Sequence, residues 1–252
     1  MNNQACIVIP ARYGSTRLPG KPLLQAAGLT LIEHVWHAAM RCREASQVLV
    51  ATDDERIAQV VRTFGGDARM TSVDAATGSD RIGELLPVIA AGIIVNVQGD
   101  EPDMDPDVVD GLINALRADT TLGVATAAAP WPTGVSVADP NRVKVVTDSR
   151  GRALYFSRAA IPHSKTGPVQ AEGWPLLHLG VYAYRRAALE RFLALPPSPL
   201  EQLESLEQLR LLEDGIAVQV VRTSRCPHGI DTEADFKAFE SRVRGRGISQ
   251  GS

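Results

Sequence analysis

Residues 7–24 read IVIPARYGSTRLPGKPLL, and the fold follows from them. The apolar run Cys6-Ile7-Val8-Ile9, closed by Pro10, suits a strand buried on both faces of a parallel sheet. The residues after it are small, flexible or basic: Arg12, Gly14, Ser15, Thr16, Arg17, Pro19, Gly20 and Lys21. Such a loop leaves the carboxyl end of the first strand, where open α/β sheets bind ligands. Gly14 and Gly20 let the backbone approach an anion, and its N–H groups can form a nest. Arg12, Arg17 and Lys21 add three cations suited to polyphosphate. This is not a Walker loop, because Gly20 lies six residues after Gly14 and Lys21 is followed by Pro22. Nor does a G-x-G-x-x-G fingerprint occur. A basic surface loop with turn glycines is the simpler alternative; cations placed directly after a strand favour the anion site.

The bulk properties narrow the ligand. With 252 residues, 44% of them hydrophobic, the chain suits one large α/β domain. A net charge of −3 gives no basic field for nucleic acid, so the loop points to a small anion. Cys6, Cys42 and Cys226 make neither a metal spacing nor an even disulfide set, as expected of a chain in a reducing cytosol. The opening residues MNNQ lack the basic start and apolar run of a secretory leader. No apolar run approaches the roughly 20 residues of a membrane span.

Further along, strands and helices alternate. Thr30 is placed to cap a helix carrying Leu31, Ile32, Val35, Trp36 and Ala39. His34 and His37 share that helix, and without a third ligand nearby they read as helix-surface histidines. Residues 47–52 form a second strand, followed by Asp53 and Asp54, either of which can cap the next helix or hold a ribose. Gly65-Gly66 ends that helix, and residues 68–70 form a short third strand. Residues 77–81, TGSDR, open a helix capped by Thr77 or Ser79, with Arg81 ready to bind an anion at its N-terminus. Residues 93–97, IIVNV, are the most apolar strand and are expected at the sheet centre. They run into Gln98-Gly99-Asp100-Glu101-Pro102. An acid directly after a central strand can bridge a divalent ion to phosphates; a turn with an acid at its tip is the plainer alternative.

Past this point the rhythm breaks. Residues 143–146 and 153–156 form a hairpin, and a loop without apolar period runs from 161 to 174. Residues 130–185 therefore read as an inserted hairpin and lid within a single 1–252 domain. Residues 176–184, LLHLGVYAY, place His178, Gly180, Tyr182 and Tyr184 on one strand face, as a polar pocket wall or a core face. Residues 199–214, PLEQLESLEQLRLLED, read as one helix with Leu203, Leu206, Leu209 and Leu212 inward and Glu204, Glu207 and Gln208 outward, Glu207 pairing with Arg210. Residues 218–221 form the last strand, and Asp231 or Thr232 caps the closing helix.

In order, the segments IPARYGSTRLPGKPL, VATDDERI, TGSDR, VNVQGDEP, NRVKVV, ALYFSRAAIP, HLGVYAYR, PSPLEQLESLEQLR and GIDTEADF resemble the 3-deoxy-manno-octulosonate (Kdo) cytidylyltransferases over nearly the whole chain. The resemblance implies a nucleotide-diphospho-sugar-transferase fold: a mostly parallel α/β sheet flanked by helices, with a hairpin extension for dimerisation. It implies CTP and Kdo as substrates, Mg²⁺ as cofactor and a role in lipopolysaccharide synthesis. Nucleotide contacts then fall on Ala11, Arg12, Ser15, Arg17, Lys21, Ser79, Arg81 and Gln98, with Arg17, Lys21 and Asp100 at the chemistry. Metal ligands fall on Asp100 and Asp231, and the sugar-acid pocket on Arg158, His178, Tyr182, Glu207 and Gln208. Family members usually carry Thr where this chain has Ser79, and their counterpart of the 161–174 loop is often longer. A CMP-sialic acid synthetase, or one acting on an amino analogue of Kdo, is the alternative within the class; its loop resembles ARGGSKGIP instead. An NAD-linked oxidoreductase and a non-catalytic nucleotide sensor are alternatives outside it.

Overall fold

The computed structural model describes residues 3–14, 18–165, 173–226 and 229–248. Strand β1 (Ala5–Ala11) is the opening apolar run, buried through Ile9. A 3-10 turn (Lys21–Leu23) closes the loop behind it, and a ribbon of β2 (Gln25–Ala26) and β3 (Leu29–Thr30) leads into α1 (Leu31–Ala39). Thr30 stands at the N-cap of α1, its N–H donating to Glu33 at 3.4 Å. Next come β4 (Gln47–Thr52), α2 (Glu55–Thr63), β5 (Asp67–Met70), α3 (Gly78–Leu85) and β6 (Ile93–Asn96). Asp54 caps α2 by accepting from the Arg56 N–H at 2.9 Å, and Gly65 ends it at φ 83°, a conformation only glycine adopts without strain. Thr77 caps α3 in a reciprocal box with Asp80.

The remaining elements are α4 (Pro106–Ala118), β7 (Val124–Pro130), β8 (Lys144–Thr147), β9 (Ala153–Ser157), β10 (Leu176–Arg185), α5 (Arg186–Ala194), α6 (Pro199–Glu204), α7 (Leu209–Glu213), β11 (Val218–Arg222) and α8 (Glu233–Ile248). Two compact units result. One comprises residues 4–91, 95–107 and 227–252; the other comprises 1–3, 92–94 and 108–226. In the first, β1 pairs parallel with β4 and β4 with β5, which is the strand–helix rhythm read from the sequence. Its core is aliphatic, with Ile7, Ile9, Ile32, Leu49 and Ile57 fully buried. In the second, β7 pairs parallel with β11 and antiparallel with β10, and the β8–β9 hairpin packs antiparallel against β10. Tyr184, Phe192 and Phe156 fill its core. The chain is thus a mixed α/β protein with mostly parallel strands flanked by helices.

Two local expectations are corrected. Residues 199–214 are not one helix: α6 stops at Glu204, Ser205 takes the left-handed conformation at φ 52°, and α7 starts at Leu209. The break rotates the leucine stripe out of register, so Leu203 is 82% exposed while Leu206 and Leu209 are buried. Arg210 forks onto Glu201, at 2.7 and 2.5 Å. The partial alternation read along β10 is also interrupted, by a register shift against β7 between Leu179 and Tyr182.

Candidate active site

In the first unit, the carboxyl ends of β1 and β6 and the N-terminus of α3 surround a cavity of about 270 Å³. Ala11, Arg12, Lys21, Arg81, Gln98, Asp100 and Asp231 line it, together with Pro10 and residues 75–78. Gly99 is obligatory here: a Cβ on it would lie 2.6 Å from the Pro10 carbonyl oxygen. That close approach sets the turn from which Asp100 emerges.

Lys21 is the hub of the charge cluster. Its Nζ donates to Asp100 Oδ2 at 2.6 Å and to the Ile230 carbonyl at 2.7 Å, and Asp231 Oδ1 lies 3.6 Å away. The Ile230 N–H in turn donates to the Asp100 carbonyl at 2.9 Å, so the two acid-bearing segments are tied by backbone as well. Thr232 caps α8 through reciprocal hydrogen bonds with Asp235, leaving the Asp231 carboxylate to face Lys21. Burial pushes the Glu101 carboxyl up to about 7, and the charges of Asp100 and Asp231 push the same way. Two acids from distant parts of the sequence, Asp100 and Asp231, thus face one ammonium.

Arg81 is 3% exposed and donates to Asp53 Oδ2 at 2.8 Å and to Thr71 Oγ1 at 2.5 Å. The cap of α2 is thus Asp54 rather than Asp53, which does not line the cavity but pairs with Arg81, which does. Ser79 is buried in the first turn of α3 and does not line the cavity. Ser15 and Arg17 lie outside the described residues. His34 Nε2 bonds the Ala26 carbonyl at 2.9 Å, and His37 faces Glu33 at 3.8 Å.

The second unit gathers a second group. His178 Nε2 lies 2.9 Å from the Tyr182 hydroxyl and 3.1 Å from Thr126 Oγ1, despite the shifted register between them. Burial pulls the His178 imidazole down to about 3, so it is neutral at pH 7. Burial also holds the Tyr182 phenol well above its usual value, with Tyr184 and Glu207 adding to the effect. Gln208, 5% exposed, and the half-buried Glu207 occupy the break between α6 and α7. Arg158 closes that break: its Nε donates to the Glu204 carbonyl at 2.8 Å and its Nη2 to the Ser205 carbonyl at 3.2 Å.

Residues 6–221 match the cytidylyltransferase family model. A 3-deoxy-manno-octulosonate cytidylyltransferase of Syntrophotalea carbinolica is 47% identical over 94% of this chain and 98% of its own length. The chain belongs to the 3-deoxy-manno-octulosonate cytidylyltransferase family. An Escherichia coli family member is 44% identical over 92% of this chain and 93% of that protein. A solved CMP:2-keto-3-deoxy-manno-octonic acid synthetase complexed with CTP is 43% identical and superimposes with a TM-score of 0.90, covering 96% of this chain and 99% of that one. Against that family background, sequence reading overlooked two supporting residues: Asp53, read as a cap, and Thr126, the one hydroxyl in the run Val124-Ala125-Thr126-Ala127-Ala128. A lone polar residue in an otherwise apolar buried strand was the available signal.

Proposed function

We propose that this protein transfers CMP from CTP to Kdo, releasing diphosphate, as the name of its family describes. The observation that carries the proposal is the convergence of Lys21, Asp100 and Asp231, with Nζ–O distances of 2.6 and 3.6 Å, in a cavity lined by Arg12 and Arg81. The anomeric hydroxyl of Kdo attacks the α-phosphorus of CTP, the bond to the bridging oxygen breaks, and diphosphate leaves. No covalent intermediate on the protein is needed, so its work is positioning and charge neutralisation. Arg12 and Lys21 supply positive charge to the phosphates, joined by Arg17 and Ser15 of the same loop. Gln98, Ala11 and Arg81 frame the nucleoside end, while Ser79, buried behind them in α3, contributes no surface to the cavity. Arg158, His178, Tyr182, Glu207 and Gln208 receive the sugar acid, with His178 neutral and able to share one proton with Tyr182.

The donor set suits Mg²⁺, since Asp100 and Asp231 offer hard carboxylate oxygens already turned toward one cation. The bound ion would supply charge neutralisation at the phosphate oxygens. We take the working form to be a cytoplasmic homodimer that supplies lipopolysaccharide synthesis. A CMP-sialic acid product is disfavoured by the names and close identity of the relatives. The test is diphosphate release from CTP, UTP, ATP and GTP, each with Kdo or N-acetylneuraminate, with and without Mg²⁺. Release confined to CTP with Kdo and Mg²⁺ is expected; turnover of N-acetylneuraminate, or none with Kdo, refutes the proposal.

A further inference from the structure

Lys144, in the segment Asn141-Arg142-Val143-Lys144-Val145-Val146, is a fully buried lysine that the proposed reaction does not use. Its Nζ donates to the Asp139 carbonyl at 2.6 Å and to the Arg158 carbonyl at 2.7 Å, and it lies 5.3 Å from the centre of the Trp131 ring. Burying a charge is costly unless strong acceptors meet it, so a lysine in this place needs a reason. The reason is downstream of the Arg158 carbonyl. The Arg158 side chain fans out to three carbonyls: Pro140 at 2.9 Å, Glu204 at 2.8 Å and Ser205 at 3.2 Å. The Glu204 carboxylate answers by accepting from the Arg158 N–H at 2.9 Å and from Ser157 Oγ at 2.6 Å. Two of these acceptors are carbonyls at the C-terminus of α6, which no intrahelical donor reaches. Arg158 therefore caps α6 and stabilises the left-handed Ser205, so the chain breaks instead of continuing as helix. Glu207 and Gln208 stand in that break.

We infer that Lys144 is a positioning residue for the sugar-acid side: it holds the main chain at Arg158 so that the Arg158 side chain fixes the α6–α7 break presenting Glu207 and Gln208. The sugar assignment rests on the function proposed above; the mechanical link from Lys144 to the break does not. Arg158 thus acts through its grip on backbone, whatever it contributes to the ligand. Burial lowers the Lys144 pKa, opposed by the nearby charges of Asp139 and Glu204 and aided by that of Arg158.

The test uses the full chain with Lys144→Met, which keeps the stem and removes the donors, and Lys144→Arg, which restores donors. Amide hydrogen exchange of peptides covering residues 204–210 is read first, since it needs no substrate. Lys144→Met should speed exchange there about tenfold or more while leaving residues 96–101 unchanged, and Lys144→Arg should recover most of the protection. Unchanged exchange at 204–210, or an equal rise at 96–101, overturns the inference. In diphosphate release, KM for Kdo should rise about tenfold with KM for CTP within twofold; a matching rise in both overturns it as well. Should Lys144→Met fail to fold, Lys144→Gln, whose shorter neutral side chain cannot span the Asp139 and Arg158 carbonyls, is read by the same exchange and KM criteria. An inactive wild-type protein would count against the proposed function, while the exchange measurement would still decide for or against the link.

Discussion

Lys21→Met separates the two roles of the charge cluster. The ammonium lies 2.6 Å from Asp100 and 3.6 Å from Asp231, and the lysine side chain is only 13% exposed. Unit charges about 4 Å apart at an effective dielectric near 20 interact by about 4 kcal/mol. Here the acids are 33% and 51% exposed, so water screens much of that. A net loss of about 1–2 kcal/mol is expected, or about 2–8 °C in Tm for a chain of this size. Without its internal cation the acid pair should hold a divalent ion more tightly in the absence of nucleotide, by roughly tenfold, or about 1.4 kcal/mol. Turnover of CTP should move the other way, falling about 10²–10³-fold, because phosphate charge loses its lysine. Calorimetric Mg²⁺ titration, thermal melting and diphosphate release read the three effects. If Lys21→Met binds Mg²⁺ no more tightly than wild type and keeps its rate, the ammonium is not the counter-charge of this site.

Three further outcomes follow from the geometry. Gly99→Ala would place a methyl 2.6 Å from the Pro10 carbonyl, costing about 1–3 kcal/mol and displacing Asp100, so melting temperature and turnover should fall together. Arg81→Met leaves Asp53 without its buried partner and should cost about 3–5 kcal/mol in denaturant melts, while the Asp53→Asn, Arg81→Met double variant loses less than the sum. The folded His178 pKa of about 3 lies below its ordinary 6.5, so stability is full above pH 6.5 and drains as pH falls. That drain reaches at most about 2 kcal/mol by pH 5 at 1.4 kcal/mol per unit, and a His178→Gln variant melted at pH 7 and pH 5 should lose it.

The sequence made the parallel half of the fold legible because its signals are local. An apolar run ended by Pro10, a second run ended by Asp53-Asp54, and Thr77 before Gly78 each mark an element boundary by chemistry within a few residues. The charge loop was legible for the same reason. What local reading could not give were features decided by distant partners. Nothing within residues 200–214 announces the break at Ser205, since no glycine or proline stands there; Arg158, more than forty residues earlier, satisfies the carbonyls that make it tolerable. Asp53 reads as a cap until Arg81 arrives beside it. Asp231 and Thr232 both read as candidate caps until Thr232 takes that task with Asp235, and only the family resemblance pointed to Asp231 as a ligand.

Asp100 and Asp231 are proposed to share one divalent ion. Binding of Mn²⁺, as a spectroscopic substitute for Mg²⁺, can be followed by electron paramagnetic resonance in wild type, Asp100→Asn and Asp231→Asn, each with CTP present. Weakening of about tenfold or more in both variants, with melting temperatures near wild type, is the predicted result. An Asp231→Asn protein that binds Mn²⁺ as tightly as wild type would contradict it.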